Sequence, residues 1–344
     1  MKLNINKEIL SDIINLSMGV FKPVYKFSSS KDVILISESF LTQKKNFFPL
    51  PILFPITNQT QKRINTNKII NIYYKNIFIS EIRISEIFKI KKKSVKKIFG
   101  FYDPKHPGIK NFFNVNKFYI DCEIKKFNKK ILKKVNFDNP KIIKKKLNKA
   151  TCAGFHTRNV PHKAHMWIHK FGKSKCQKVL IQPMIGQFNK GEFKENYLIK
   201  SNFFISKLDK KNLLFSKFFS YPRYGGPREA LFHSIVRKNY GCSHFLVGRD
   251  HAGYKNYFKK YTSQKICKSK ESKVGIKFLV FDEPFICKTC KIVINKKCNK
   301  CNKINKISIS GTKIRNLIRK KLKVPEYLMD NRVYNIVKKN SLIS

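Results

Sequence analysis

Fourteen residues near the middle of the chain, His156 to His169 (HTRNVPHKAHMWIH), constrain the fold more than any other stretch. Gly154 and Phe155 precede them, and the order reads as a strand, a tight turn and then a helix. Pro161 suits the first turn of that helix, where a missing N–H costs nothing. Three-residue spacing puts the His162 and His165 imidazoles on one helical face near its start. Unpaired main-chain N–H groups and the positive end of the helix dipole attract a phosphate-like anion there. From Ala150 to about Phe285 strand and helix patterns alternate, which implies a parallel α/β sheet carrying this junction.

The chain has 344 residues, enough for two or three domains, and its 42% hydrophobic content supports a sizeable core. It contains no long apolar run, so no membrane span is expected. The opening MKLNINKEILSD lacks the apolar core of a signal peptide. Nine cysteines, four of them in two C-x-x-C pairs, fit a reduced cytoplasmic setting with a metal site better than disulfides. The net charge of +54 invites a nucleic-acid reading. Only ten of the 74 basic residues are Arg, however, and the 64 Lys spread along the whole chain. Lys, Asn, Ile and Phe are the residues A/T-rich codons specify, so compositional drift is the simpler cause, and nucleic acid is not an expected partner. Five arginines, Arg158, Arg223, Arg228, Arg237 and Arg249, fall between 158 and 249, and the anion chemistry is expected there.

Three regions follow. Residues 1–145 read as a β-rich domain with few helical periods, its short strands including Val33–Ile36, Pro51–Ile56, Ile69–Tyr74 and Phe118–Ile124. Residues 146–285 form the α/β domain, with strand candidates at Lys178–Gln182 and Ser243–Val247 and a helix over Pro227–Asn239. Asp138-Asn139-Pro140 looks like a helix start just before that domain. Residues 286–344 form a small C-terminal unit, with Ile309-Ser310-Gly311-Thr312 leading into a helix.

A second motif, Gly248-Arg249-Asp250-His251-Ala252-Gly253, follows the apolar strand Phe245-Leu246-Val247. A glycine-flanked turn at the C-terminal end of a strand is where open α/β sheets bind ligands. Cys287-x-x-Cys290 and Cys298-x-x-Cys301, seven residues apart, match a tetrahedral zinc site whose four thiolates close the shell, a structural site. Cys122, Cys152, Cys176, Cys242 and Cys267 read as packing residues.

With these motifs in one order the chain resembles the ATP sulfurylase (sulfate adenylyltransferase) family over most of its length. Met18-Gly19-Val20-Phe21-Lys22-Pro23 is similar to an early G-x-F-x-P element, and Asp103-Pro104-Lys105-His106-Pro107-Gly108 to a D-x-x-H-P-G stretch. Tyr224-Gly225-Gly226-Pro227-Arg228-Glu229-Ala230 resembles A-G-P-R-E-A, and Ser310-Gly311-Thr312-Lys313-Ile314-Arg315 resembles S-G-T-x-x-R. The resemblance implies a Rossmann-like nucleotidyltransferase central domain, an N-terminal β-rich PUA-like domain and a small zinc-containing C-terminal domain. It implies direct attack of sulfate on the α-phosphorus of ATP, giving adenylyl sulfate and diphosphate, or the reverse reaction making ATP during sulfur oxidation.

Carried over by position, Thr157, Arg158, Asn159, His162 and His165 would be catalytic. His156, Thr157, Arg158 and Asn159, with Gly248, Arg249, Asp250 and His251, would bind ATP. His156, Arg158 and the main chain of Ala252 would hold sulfate. Mg²⁺ would arrive on the nucleotide, Zn²⁺ would be structural, and a homodimer is expected by analogy. His156 stands where many members have Gln, Val160 where many have Pro, and Met166 where an acidic residue usually follows the second His. Some members hold the zinc with a His as fourth ligand, where this chain has Cys301. No G-x-x-x-x-G-K-[ST] occurs, so no fused adenylylsulfate kinase is expected. Two other readings stand beside this one: a basic zinc-ribbon nucleic-acid-binding protein, and a catalytically impaired nucleotidyltransferase relative.

Overall fold

The structure, a computed structural model, describes every residue except 67, 187–189, 297, 299–300, 302–305, 340 and 344. The chain folds as two compact units that do not follow chain order. One comprises Met1–Pro140, Phe219–Tyr240 and Asp250–Gly275; the other comprises Lys141–Phe218, Gly241–Arg249 and Ile276–Ser344.

The first unit is built on strands β1 (Lys2–Asn4), β2 (Phe54–Ile56), β3 (Ile69–Tyr74), β4 (Ile77–Lys89) and β5 (Phe118–Phe127). They form one sheet in the order β1-β3-β4-β5-β2. Only the β1–β3 pair is parallel. Lys75 and Asn76 turn the β3–β4 hairpin with φ of 47° and 62°, the left-handed pair whose twist matches the flanking strands. Along β4, Ile82 and Ile84 are buried while Arg83 and Ser85 face solvent, the period of two that a half-buried strand requires.

This region also holds more helix than its sequence suggests. Helix α1 (Lys7–Ser17) starts where the Asn6 side chain accepts from the N–H of Ile9 at 3.0 Å. Val33–Ile36, expected as a strand, lies within the helix Ser30–Ser39. Ser29 and Asp32 form a reciprocal capping box, which commits the run to a helix despite its β-branched residues. Val33 and Ile36 are buried whereas Ile34 and Leu35 face out, so the run is one helical turn and not an alternating strand. The expected strand at Pro51–Ile56 is shorter, Phe54–Ile56.

The helix Pro227–Asn239 forms as expected, and every residue from Pro227 to Arg237 is buried. Arg228 and Arg237 on it, and Arg223 just before it, correct the expectation for anion chemistry. Arg228 donates to the carbonyls of Ile36 (2.7 Å) and Ser37 (2.8 Å) in the Ser30–Ser39 helix and of Pro49 (3.2 Å), tying two segments of main chain to the helix. Arg223 pairs with Asp12 of α1 at 2.5 Å, and Tyr221 donates to the same carboxylate at 2.6 Å. Arg237 is fully buried as well. The Arg228 and Arg223 guanidiniums thus tie separate segments of the unit together, while that of Arg237 bonds back to the His233 carbonyl of its own helix.

The second unit carries the parallel sheet. Strands β6 (Cys152–Thr157), β7 (Lys178–Gly186), β8 (Leu213–Phe215), β9 (His244–Val247) and β10 (Lys277–Val280) lie in the order β10-β9-β6-β7-β8. Every pairing along that path is parallel. Helix α2 (Lys163–Lys173) links β6 to β7, and α3 (Glu195–Lys207) links β7 to β8. Gly172 lets α2 close onto the sheet, because a Cβ there would stand 2.8 Å from Val179 Cγ2. The sheet grows from β6 in both directions, so the gap between β6 and β9 is its topological switch point.

A second, antiparallel sheet in this unit joins β11 (Phe285–Cys287), β12 (Val293–Ile294) and β13 (Lys306–Ser308), with β11 in the middle. Helices α4 (Gly311–Arg319) and α5 (Asn331–Val337) follow. Ile314, Ile318, Val333 and Val337 of these helices share one core with Ala164 and Ile168 of α2. Among the described residues no helix is long and apolar enough to cross a membrane. Cys122, Cys152, Cys176, Cys242 and Cys267 are all buried, as packing residues are.

Candidate active site

Strands β6 and β9 run parallel, paired near their starts through His244 and Phe245 with Ala153 and Gly154, so both point their C-terminal ends to the same edge of the sheet. The two sequence motifs therefore leave the sheet at adjacent strand tips. At β6, Thr157 closes the strand and folds its hydroxyl onto the next turn, accepting from the N–H of Asn159 at 3.0 Å. That local bond turns the chain and projects Arg158 and Asn159. His156, one residue back and part-exposed, pairs in register with Gln182 of β7.

Helix α2 begins at Lys163, so Pro161 precedes the first turn instead of lying in it. His162, and not Pro161, marks its boundary: it sits at the N-cap, and its Nδ1 accepts from the N–H of His165 at 3.4 Å. The two rings stack with centroids 3.7 Å apart and 21° between planes, so the expected juxtaposition holds by a different route. Burial pushes the His162 pKa down to about 4 and that of His165 well below its usual value. Both imidazoles are neutral near pH 7. With Nδ1 of His162 accepting, its proton resides on Nε2, which is then a donor. His165 Nδ1 is buried with no hydrogen-bond partner. A third histidine, His169, follows one turn on and packs edge-on against Phe155 at 4.7 Å.

The guanidiniums are held by carboxylates that sequence reading did not single out. Arg158 Nη2 lies 2.6 Å from Glu192 Oε1, both side chains about a quarter exposed. Arg249, at the tip of β9, pairs through Nη1 with Glu283 beyond β10, while its Nε is buried with no partner. Asn159 is fixed from two sides: Arg315 of α4 donates to its Oδ1 at 2.6 Å, and Asn202 of α3 donates to its carbonyl at 3.2 Å. Ser310 caps α4, accepting from the N–H of Lys313 at 3.2 Å. Carboxylates 34 residues from their arginines leave no local signature, and only the strand order brings Glu192 and Glu283 to the sheet tips.

Thr157, Arg158, Asn159, His162, His165, Gly248 and Arg249 thus belong to one compact unit, at neighbouring strand ends. The remaining four residues of the second motif, Asp250 to Gly253, belong to the other unit. There Ala252 takes a left-handed φ of 58° and its carbonyl accepts from Gly226 N at 3.2 Å. The carbonyl of His251 accepts from the Ser263 hydroxyl at 3.0 Å.

The four cysteines converge. All Sγ atoms of Cys287, Cys290, Cys298 and Cys301 lie within 4.8 Å of one another. Cys287 to Cys301 measures 3.4 Å and Cys290 to Cys298 measures 3.8 Å. Thiolates about 2.3 Å from a tetrahedral zinc lie roughly 3.8 Å apart, so the donor set fits that ion. The Cys290 N–H donates to Cys287 Sγ at 3.5 Å and lowers that thiol to about 7, favouring the thiolate.

Two family models divide the chain: the ATP-sulfurylase model matches residues 138–340 and a PUA-like domain model matches residues 1–129. The chain belongs to the ATP-sulfurylase family. A sulfate adenylyltransferase of Pyrococcus abyssi (strain GE5 / Orsay) is 30% identical across 98% of this chain and 90% of its own length. Those of Thermococcus onnurineus (strain NA1) and Entamoeba histolytica (strain ATCC 30459 / HM-1:IMSS / ABRM) are 29% and 26% identical, each across 95% of this chain and 87% and 82% of their own lengths. Among solved structures, "Hexameric APS kinase from Thiobacillus denitrificans" superposes with a TM-score of 0.75 over 97% of this chain at 13% identity, which shows the shared fold. This chain spans 62% of that longer one.

Proposed function

We propose that the protein is a sulfate adenylyltransferase, joining ATP and sulfate to adenylyl sulfate and diphosphate in either direction. One observation carries the reading. The tips of two adjacent parallel strands present Arg158, Arg249 and the stacked pair His162–His165 at the switch point of the sheet. Family membership supplies the reaction class, and the geometry supplies a reason these side chains suit it.

Sulfate is a weak nucleophile, so positioning and charge stabilisation matter more than covalent catalysis. A sulfate oxygen attacks the α-phosphorus, the bond from that phosphorus to the bridging β-phosphate oxygen breaks, and diphosphate departs with the electron pair. No proton transfer is needed. Arg158, with His156 and the main chain of Ala252, would hold sulfate; the planar fork of Arg158 suits a tetrahedral oxyanion. Thr157 and Asn159 would meet the phosphates, the latter oriented by Arg315. Neutral His162 and His165 would donate N–H bonds to the charge gathering on the reacting and departing groups. Gly248, Arg249, Asp250 and His251 would cradle the nucleotide, and Mg²⁺ would come with it.

Cys287, Cys290, Cys298 and Cys301 would hold a structural Zn²⁺ that closes the antiparallel sheet. A homodimer is proposed as well, and light scattering of the purified protein reads it. The deciding assay supplies adenylyl sulfate and diphosphate to zinc-replete protein and follows ATP. Turnover requiring both substrates supports the proposal; no turnover defeats it.

A further inference from the structure

One histidine of the first unit carries polar atoms that the fold does not use. His106, in the Asp103–Gly108 stretch, is 0% exposed, and neither of its ring nitrogens has a hydrogen-bond partner among the described residues. Burial pushes its pKa down to about 4, so the ring is neutral. Its main-chain N–H closes a tight turn on the Asp103 carbonyl at 3.0 Å. Gly108 makes room for the turn, because a Cβ there would stand 2.3 Å from the Arg223 carbonyl oxygen and 3.2 Å from His106 Cε1. Burying an imidazole without polar partners is unfavourable, so packing must offset it.

Five aromatic rings supply that packing, all edge-on, the arrangement such rings favour. Two come from the preceding segment: Phe99 and Phe101, with centroids 5.3 and 5.1 Å away. The other three follow the second motif: Tyr254, Tyr257 and Phe258, at 5.7, 4.7 and 6.4 Å. Tyr257 also stacks on Phe101 at 4.9 Å, and its hydroxyl donates to Asp103 at 2.5 Å. Residues 251–260 form neither helix nor strand, so side chains and not main-chain ladders must hold them. The segment begins at the Asp250–Gly253 turn, where the Ala252 carbonyl accepts from Gly226 N at 3.2 Å. Phe258 lies over that same glycine, since a Cβ on Gly226 would stand 2.5 Å from its ring.

We propose that His106 is a positioning residue for the nucleotide: its ring is the hub on which Tyr254, Tyr257 and Phe258 seat, and through them it holds the Asp250–Gly253 turn in place. This rests on the reading that the turn serves the nucleotide, and it adds a residue outside both strand-tip motifs on which that service depends. The imidazole acts as a packed ring, and its nitrogens take no part. The bond from Tyr257 to Asp103 is a second, separate tie.

Hydrogen–deuterium exchange of residues 250–260 in the full-length protein, without substrate, reads the turn directly. Titration calorimetry with Mg-ATP reads the consequence. His106→Ala should speed exchange in that segment about tenfold or more. If the competent arrangement falls to about a tenth of the population, ATP binding weakens about tenfold, while kcat at saturating substrate stays within about twofold. His106→Phe keeps a ring without nitrogens and should restore both exchange and affinity. Should the bulkier ring unfold the protein, Tyr257 decides from the other partner. Tyr257→Ala should then match His106→Ala, and Tyr257→Phe, which loses only the bond to Asp103, should not. Unchanged exchange in His106→Ala overturns the proposal, as does faster exchange with unaltered ATP affinity. A fall in kcat with affinity intact overturns it too. Neither exchange nor calorimetry needs turnover. A failed activity assay with the expected exchange and affinity therefore strikes the sulfate reading alone, and unchanged exchange in an active enzyme strikes the hub alone.

Discussion

The strand tips at β6 and β9 and the cysteine cluster beyond β11 gather polar side chains in opposite ways. At the tips each guanidinium leans on a carboxylate that an anion could displace, and the imidazoles are uncharged donors left by burial without a matching charge. In the cluster four sulfurs turn on one another within 4.8 Å, each offering one donor to a common centre. The first arrangement suits an anion that comes and goes; the second suits a cation that stays. Charge-open sites are built from residues far apart in sequence, whereas the closed one spans fifteen residues, Cys287 to Cys301.

The sharpest way to break this contrast is at the tips. His162→Ala should lower kcat by about 10²–10³ or more, the scale for losing a preorganised donor. Because His162 also caps α2, it should cost about 1 kcal/mol of stability. Wild-type turnover in that variant would remove the imidazole from the chemistry. Chelation of zinc, or Cys298→Ser, should do the reverse, lowering Tm by about 10 °C or more while the folded fraction keeps its kcat. A loss of catalysis at unchanged Tm would make the cluster a working site.

Acidification separates the regions next. His162 and His233 at about 4 and His169 at about 3 are neutral when folded, and protonate near 6.5 once unfolded. Between those values the unfolded chain binds more protons, so stability is full above about pH 7 and falls as pH drops toward 4. Each group contributes a slope of about 1.4 kcal/mol per pH unit. Urea titrations across this window check it, and His169→Phe should flatten the slope by one group's share; an unaltered slope would mean that His169 is solvated. The smallest effect is at Glu192→Gln. Freeing Arg158 from its carboxylate should lower KM for sulfate about threefold, the worth of an ion pair still open to solvent. A higher KM would make Glu192 the residue that aims Arg158.

Local chemistry was legible wherever a motif closes on itself. The Thr157 turn, the Ser310 cap and the two cysteine pairs need only their own few residues, so spacing revealed them. Ser30–Ser39 escaped because four successive apolar residues read equally as strand or helix, and the cap at Ser29 decided. Arginine misled more seriously. Arg223, Arg228 and Arg237 carry the same formal charge as Arg158, yet they are spent on Asp12 and on main-chain carbonyls inside the first unit. Nothing in the neighbouring sequence distinguishes a guanidinium that binds ligand from one that staples a core.

By itself, then, the sequence determined the family, the parallel sheet, the strand-tip motifs and the paired cysteines, because helix starts, turns and chelating pairs are fixed by bonds between near neighbours. Tertiary structure alone decided which charges are neutralised. The partners Glu192, Glu283 and Arg315 come from distant segments. Strand order and burial, properties of the whole chain, bring those segments together and set which protons they keep.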